Sequence, residues 1–231
     1  PEVFKGIGWY KRRLVKALLK DDIEKLCKIS GRRNLRNWIH AIIFKPKRAM
    51  RIKEFVYRHR YATQPMLDNT VFLESFFGKS YSDSPKYIFE KLNEMYPGRY
   101  EYVWVLDKKT KLPYPARQCR RFSLNYFKYL ARSRYIVFNS RQPKYFIKRK
   151  GNVFLETWHG TPLKKLVFDI EEVVSASPTY KKNFYIQSRS WDYLVSANGF
   201  SSEVFRRAFA YDKPLLEFGY PRNDILHSYN K

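Results

Sequence analysis

The chain is poor in cysteine, in acidic residues and in long apolar runs, and each shortage narrows what it can be. Cys27 and Cys119 are the only cysteines in 231 residues, and neither has a metal-like pairing partner nearby. A disulfide-stapled secreted scaffold is excluded, and the usage fits a reducing cytoplasm. The longest apolar run, Trp38 to Phe44, is broken by His40 and is far too short to span a bilayer. No signal peptide opens the sequence, and no internal repeat or low-complexity tract follows. The first residue is Pro1 instead of Met, which suggests a piece of a longer protein or a processed one.

Acidic residues number 21 against 46 Lys and Arg, a net charge of +25. Such an excess implies a polyanionic partner: nucleic acid, a phosphate-rich substrate or an anionic membrane. Residues 1–60 hold 18 Lys and Arg against five Asp and Glu, about half the excess in a quarter of the chain. Aromatic residues make up 18%. Interleaved with cations, they suit base stacking and equally suit a lipid headgroup interface. The sequence contains no recognisable DNA- or RNA-binding motif, so a nucleic-acid partner is not expected.

Two regions differ in character. Residues 1–67 read as basic amphipathic helices. Leu14, Val15, Leu18 and Leu19 recur at helical spacing among Lys11, Arg12, Arg13, Lys16 and Lys20. The Trp38–Phe44 segment lies between Arg32, Arg33 and Arg36 on one side and Lys45, Lys47 and Arg48 on the other. Pro46 is expected to end or kink that helix. One reading is a solvated basic face on helices packed against the next domain. The sharper reading is a monotopic membrane segment in which Trp9, Trp38 and Phe44 dip into the interface while Arg12, Arg13, Arg33, Lys47 and Arg48 meet anionic lipid.

From residue 68 to 231 strand and helix signals alternate. Strand candidates are Val71–Phe77, Tyr100–Leu106, Arg134–Asn139, Val153–Trp158, Tyr193–Ser196 and Leu215–Phe218. Helix candidates include Ser84–Met95, with Ser84 as cap and Pro85 at the first position, and Ser202–Phe209. Alternation of this kind predicts an α/β fold, a Rossmann-like domain built on a parallel sheet.

Ligands of open parallel sheets bind beyond the carboxyl ends of the strands, and three loops fall there. In the first, residues 157–164, a strand ends at Trp158, Gly160 permits a sharp turn, Thr161 can cap, and Pro162 can start a helix. Free amides at that helix start would bind phosphate, with Lys164 adding charge. His159 sits at the lip and could act as a general base or phosphate donor; a histidine merely hydrogen-bonded in a tight turn is the plainer alternative. The second loop, residues 78–85, offers Gly78 for close backbone approach and the Ser80 hydroxyl, yet lacks Walker spacing. The third, residues 219–224, offers Arg222 as a phosphate clamp, or only a Pro turn with an Asn or Asp cap. No metal-ligand cluster stands out, so neither a metal nor another cofactor is expected.

Four segments together, TWHGTPLKKL at 157–166, GKSYSDSP at 78–85, YLVSANGFSSEVFRRAF at 193–209 and GYPRNDIL at 219–226, resemble the CDP-glycerol glycerophosphotransferases, the teichoic acid primases and polymerases of Gram-positive bacteria. The resemblance covers roughly residues 68–231, with the motifs in the family's order. It implies a glycosyltransferase-B-type fold, two Rossmann-like domains with the active site between them, of which residues 68–231 would be the N-terminal, acceptor-side domain. The nucleotide-binding C-terminal domain would lie beyond this chain. It further implies transfer of glycerol phosphate or ribitol phosphate from CDP-glycerol or CDP-ribitol to a hydroxyl of a lipid-linked, undecaprenyl-type acceptor, with release of CMP. The family's essential histidine falls on His159, and Gly160, Thr161 and Arg222 would help line the cleft. Peripheral attachment to the cytoplasmic face of the membrane is implied as well, and self-association is left open. A non-catalytic membrane adaptor and a sugar transferase of the same fold are the alternative functions.

Overall fold

All six strand candidates join one parallel sheet in the computed structural model, which describes residues 46–171 and 177–228. The chain divides into two units, residues 1–63 and 64–231. In the first, the described residues form helix α1 (Pro46–His59) and a 3-10 turn over Tyr61–Thr63. The helix expected over Trp38–Phe44, and with it the role expected of Pro46 as its end or kink, lies outside the described residues, which begin at Pro46 within α1. Of the expected membrane contacts, Trp9, Arg12, Arg13, Arg33, Trp38 and Phe44 lie outside the described residues, and Lys47 and Arg48 fall in the first turn of α1. No helix among the described residues is long and apolar enough to cross a membrane.

The second unit runs β1 (Leu67–Glu74), α2 (Asp83–Met95), β2 (Glu101–Val105), β3 (Arg117–Cys119), α3 (Leu124–Arg132), β4 (Ser133–Phe138), β5 (Val153–Glu156), α4 (Tyr180–Ser188), β6 (Tyr193–Ser196), α5 (Gly199–Ala208), β7 (Leu215–Glu217) and α6 (Ile225–Ser228). The strands lie in the order β3-β2-β1-β4-β5-β6-β7, every neighbouring pair parallel. The α/β, Rossmann-like expectation therefore holds, with most boundaries moved by one to four residues.

Side chains of a strand alternate between faces, and β1 shows what each face packs against. Val71 and Leu73 join Phe89 of α2, Trp104 and Val137 in one buried cluster. Phe72 turns the other way, edge-on to Tyr126 of α3 and beside Phe138. Helix α3 buries Tyr126, Phe127, Leu130 and Ala131 along one stripe, and the Ser123 hydroxyl accepts the Tyr126 N–H at 3.2 Å to cap it. Beyond α2, the first face lines an apolar groove of about 340 Å³ that includes Leu92, Tyr135, Leu155, Tyr193 and Leu216.

Register places Glu74 beside Phe138, and Phe138 beside Glu156, so two carboxyls flank one phenyl ring at the carboxyl ends of β1, β4 and β5. Both glutamates are buried. Burial pushes the Glu74 carboxyl up to about 7, against the pull of Arg121, whose Nε lies 3.3 Å away. An acid whose folded value is raised takes up a proton on folding, so its stabilisation is present in acid and is lost as pH rises from the ordinary 4.5 through about 7. The loss is roughly 3 kcal/mol. Glu74→Gln should therefore match the wild type near pH 5 and melt about 5 °C or more above it near pH 8; parallel melting curves across that range would overturn this.

Candidate active site at the switch point of the sheet

The crossover after β1 leads to β2 on one side, and β4 lies on the other, so the strand order reverses between β1 and β4. Connections leave a parallel sheet in opposite directions at such a point and open a crevice at the carboxyl ends. The loops after β1, β4 and β5 all end there, and Asn139, the residue following β4, ties them together.

Asn139 is fully buried. Its Oδ1 accepts the Phe76 N–H at 2.8 Å and the Ser140 hydroxyl at 3.1 Å, and its Nδ2 donates to Asp83 Oδ2 at 2.5 Å. Its carbonyl oxygen lies 2.7 Å from His159 Nδ1. A carbonyl can only accept, so Nδ1 carries a proton, and in the neutral ring Nε2 keeps its lone pair. His159 itself is exposed at the rim. A neutral imidazole with an anchored Nδ1–H, on an exposed residue, is the arrangement a proton acceptor needs.

Asp83 completes the frame. Its Oδ1 takes an ion pair from Arg222 Nη1 at 3.0 Å, and the same nitrogen donates to the His159 carbonyl at 3.0 Å. The three loops singled out in the sequence thus meet through Arg222, Asp83 and His159. Arg222 is engaged with a carboxylate, so a phosphate would have to compete with Asp83 for it.

Among the described residues seven non-glycine residues have positive φ, and four of them lie close to this junction: Phe76 (46°), Phe77 (60°), Asp83 (59°) and Trp158 (51°). Aspartate visits this region with little penalty, whereas aromatic residues there are outliers. Strain of this kind, about 1–3 kcal/mol per residue, persists only where surroundings enforce it, and it gathers at functional sites. Trp158 is enforced by an aromatic bed: Phe209 at 4.8 Å, Phe205 at 6.2 Å and Phe184 at 6.4 Å between ring centroids. Its own indole stacks on the His159 ring at 4.5 Å and 27°.

The structure corrects several expectations for these loops. No helix follows Pro162. The chain runs irregularly to a 3-10 turn at Val167–Asp169, held by burial of Val167 and by a two-pronged ion pair from Arg207 of α5 to Asp169 at 2.8 and 3.0 Å. Thr161 therefore caps nothing, and Lys164 lies exposed in a loop instead of at a helix start. The chain bends at His159 and Gly160, as expected, but the left-handed φ falls on Trp158, and an added Cβ at Gly160 would meet nothing within 4 Å. Ser84 is not the cap of α2 either: Ser82 precedes the helix and Asp83, in the left-handed region, begins it.

Gly78 has a structural reason for its identity. Its φ is +84°, and a Cβ would come within 3.0 Å of Val105 Cγ1. Its carbonyl accepts the Asp107 N–H at 2.8 Å, binding the loop to the end of β2. The Ser80 hydroxyl meets that of Ser82 at 2.7 Å, and Ser75 Oγ donates to the Ser82 carbonyl at 2.7 Å. Of the two buried polar residues of the frame, Asp83 was legible only as a carboxylate at a helix start, and Asn139 was not among the sequence candidates. The only signal for Asn139 was a polar residue directly after the apolar run of β4.

Comparison with known proteins points one way. The family model described as CDP-glycerol:poly(glycerophosphate) glycerophosphotransferase matches residues 56–231. The teichoic acid poly(glycerol phosphate) polymerase of Bacillus subtilis (strain 168) is 42% identical over 172 residues, 72% of this chain and 23% of that protein. Its counterpart in Staphylococcus epidermidis is 37% identical over 219 residues, 90% of this chain and 29% of that protein. A structure of the wall teichoic acid polymerase TagF, a histidine-to-asparagine variant with CDPG, superposes with a TM-score of 0.74 at 37% identity, covering 84% of this chain and 47% of that one. The chain thus spans less than half the length of the relatives it matches. With the family model, the sequence identities and the parallel sheet in agreement, the chain belongs to the CDP-glycerol:poly(glycerophosphate) glycerophosphotransferase family.

Proposed function

We propose that the chain supplies the histidine-bearing, acceptor-side part of an enzyme that transfers glycerol phosphate or ribitol phosphate from a CDP-alditol to a hydroxyl at the end of a lipid-linked acceptor in teichoic acid synthesis. The observation that carries this reading is the geometry of His159, an exposed residue with Nδ1 anchored on the Asn139 carbonyl at 2.7 Å and no hydrogen bond at Nε2 among the described residues. Nε2 takes the proton of the acceptor hydroxyl as its oxygen attacks the phosphorus that carries the alditol. The bridging P–O bond breaks, and CMP leaves with the bonding electron pair. The imidazolium formed is held by the same carbonyl, which stabilises charge on the ring without moving.

The CDP group is assigned to a second, nucleotide-binding domain across a glycosyltransferase-B-type cleft. Gly160, Thr161 and Lys164 form the near wall, where the backbone of residue 160 is open to close approach. The net charge of +25 favours both the pyrophosphate donor and an anionic membrane surface. Residues 1–67 are assigned to peripheral attachment on the cytoplasmic face, beside the lipid-linked acceptor.

The test is release of CMP from CDP-glycerol and from CDP-ribitol on a lipid-linked acceptor, by the complete polypeptide that carries these residues. Release from one donor is expected, and the preferred donor names the polymer. A folded, membrane-bound protein inert with both would leave the adaptor and sugar-transferase readings in its place.

A further inference from the structure

One buried group beneath the site takes no part in the chemistry above. Glu156 is the last residue of β5, fully buried, with its side chain on the same face as Phe154. Its Oε1 accepts the backbone N–H of Trp158 at 3.1 Å. We propose that Glu156 is the positioning residue of His159, a buried acceptor that holds the left-handed turn at Trp158 and through it the place and tautomer of the histidine ring.

The argument starts from the amides at the strand end. Ladder pairing between β4 and β5 ends with Phe138 beside Glu156. The next amide, of Thr157, still reaches the Phe138 carbonyl at 2.7 Å, and the Thr157 hydroxyl donates to the same oxygen at 3.2 Å. Trp158 carries the first amide beyond the ladder, and it is only partly exposed. A buried N–H without a partner costs about as much as a lost hydrogen bond, and Trp158 also bears a φ of 51° that a bulky residue resists. A side-chain acceptor two residues back meets both needs, because it bonds this amide with Trp158 in its left-handed conformation.

That fold decides where the ring of His159 goes. With the chain turned back, the ring stacks on Trp158 and its Nδ1 comes to the Asn139 carbonyl. Relaxation of Trp158 toward ordinary φ would swing residue 159 off β4, and either ring nitrogen could then carry the proton.

The chemistry of the acceptor follows from its surroundings. Glu156 Oε2 makes no hydrogen bond among the described residues, and burial holds the carboxyl well above the ordinary range against the Trp158 amide and Arg141, with Glu74 and Asp83 as neighbouring acids. What the Trp158 amide needs from the group is an accepting oxygen. An amide oxygen can take its place, an alkyl group of similar size cannot, and a shorter acid cannot reach.

The inference rests on His159 as the reactive group, and its test separates the two claims. Nitrogen-15 NMR of the histidine ring in the full chain reads the tautomer without substrate, and kcat and KM are measured alongside. Glu156→Gln should keep Nδ1 protonated and turnover within about 3-fold of wild type. Glu156→Leu should still unfold cooperatively yet show mixed tautomers, with kcat down about 10²-fold and KM changed by no more than about 3-fold. Should the Leu variant not fold, Glu156→Asp decides, with mixed tautomers and kcat down at least about 10-fold expected. A folded Leu or Asp variant with the wild-type tautomer overturns the proposal, as does a Gln variant as impaired as Leu. Tautomer loss in a protein that turns over neither CDP-alditol would keep this inference and overturn the function proposed above.

Discussion

His159→Asn should leave the fold intact and reduce alditol-phosphate transfer by about 10³-fold. Asparagine can still present an N–H near the position of Nδ1 and donate to the Asn139 carbonyl, so the structural bond to β4 survives. What disappears is Nε2, the only lone pair of that ring left for a substrate proton. The loss should therefore fall on kcat, with KM changed little, since the missing interaction operates only as the hydroxyl attacks. Steady-state kinetics on the complete polypeptide, with a melting curve to verify folding, is the measurement. A variant with unchanged kcat would show that the bond to Asn139 is the whole role of His159.

The second large effect belongs to Asp83. Its side chain is almost fully buried and serves both Arg222 and Asn139, at 3.0 and 2.5 Å. Asp83→Ala strands a guanidinium and an amide together, and gives alanine a φ of 59° that it resists. Breaking a fully buried pair costs about 3–5 kcal/mol. Arg222 keeps a third of its side-chain surface in solvent, so the expected loss is nearer 2–3 kcal/mol. Asp83→Asn should cost less, because asparagine tolerates the left-handed region and retains an acceptor. The double variant Asp83→Ala with Arg222→Met should be less destabilised than the sum of the single changes, since each single change strands a charge and the double leaves none. Strict additivity in denaturant unfolding would show that the ion pair carries no coupling. Activity should fall with stability in the single variants, because Arg222 also holds the His159 carbonyl.

Most elements with a repeating apolar pattern were legible from sequence, although α3, with its stripe of Tyr126, Phe127, Leu130 and Ala131, went unread. Tyr193–Ser196 was delimited to the residue, and the strands at β2 and β4 to within one. Strand β3 is Arg117-Gln118-Cys119, an edge strand whose polar residues carry no period. Helix α4 went unread because its apolar residues are not gathered on one side; Phe184 is buried while the neighbouring Tyr185 and Ile186 are exposed. The helix expected after Pro162 failed because local signals, a threonine followed by a proline, were outweighed by distant partners: the Arg207–Asp169 pair and the pocket that buries Val167.

The sequence by itself determined the α/β class, the family, and His159 as the residue to examine, because periodicity and motif spacing are local properties of the chain. Tertiary structure alone decided what His159 can do. Its tautomer depends on a carbonyl 20 residues away, its turn on a buried acid in the preceding strand, and its frame on an arginine 63 residues further on. Hydrogen bonds between loops exist only once the sheet has brought β1, β4 and β5 side by side, and no pattern in the linear chain records which loops will meet.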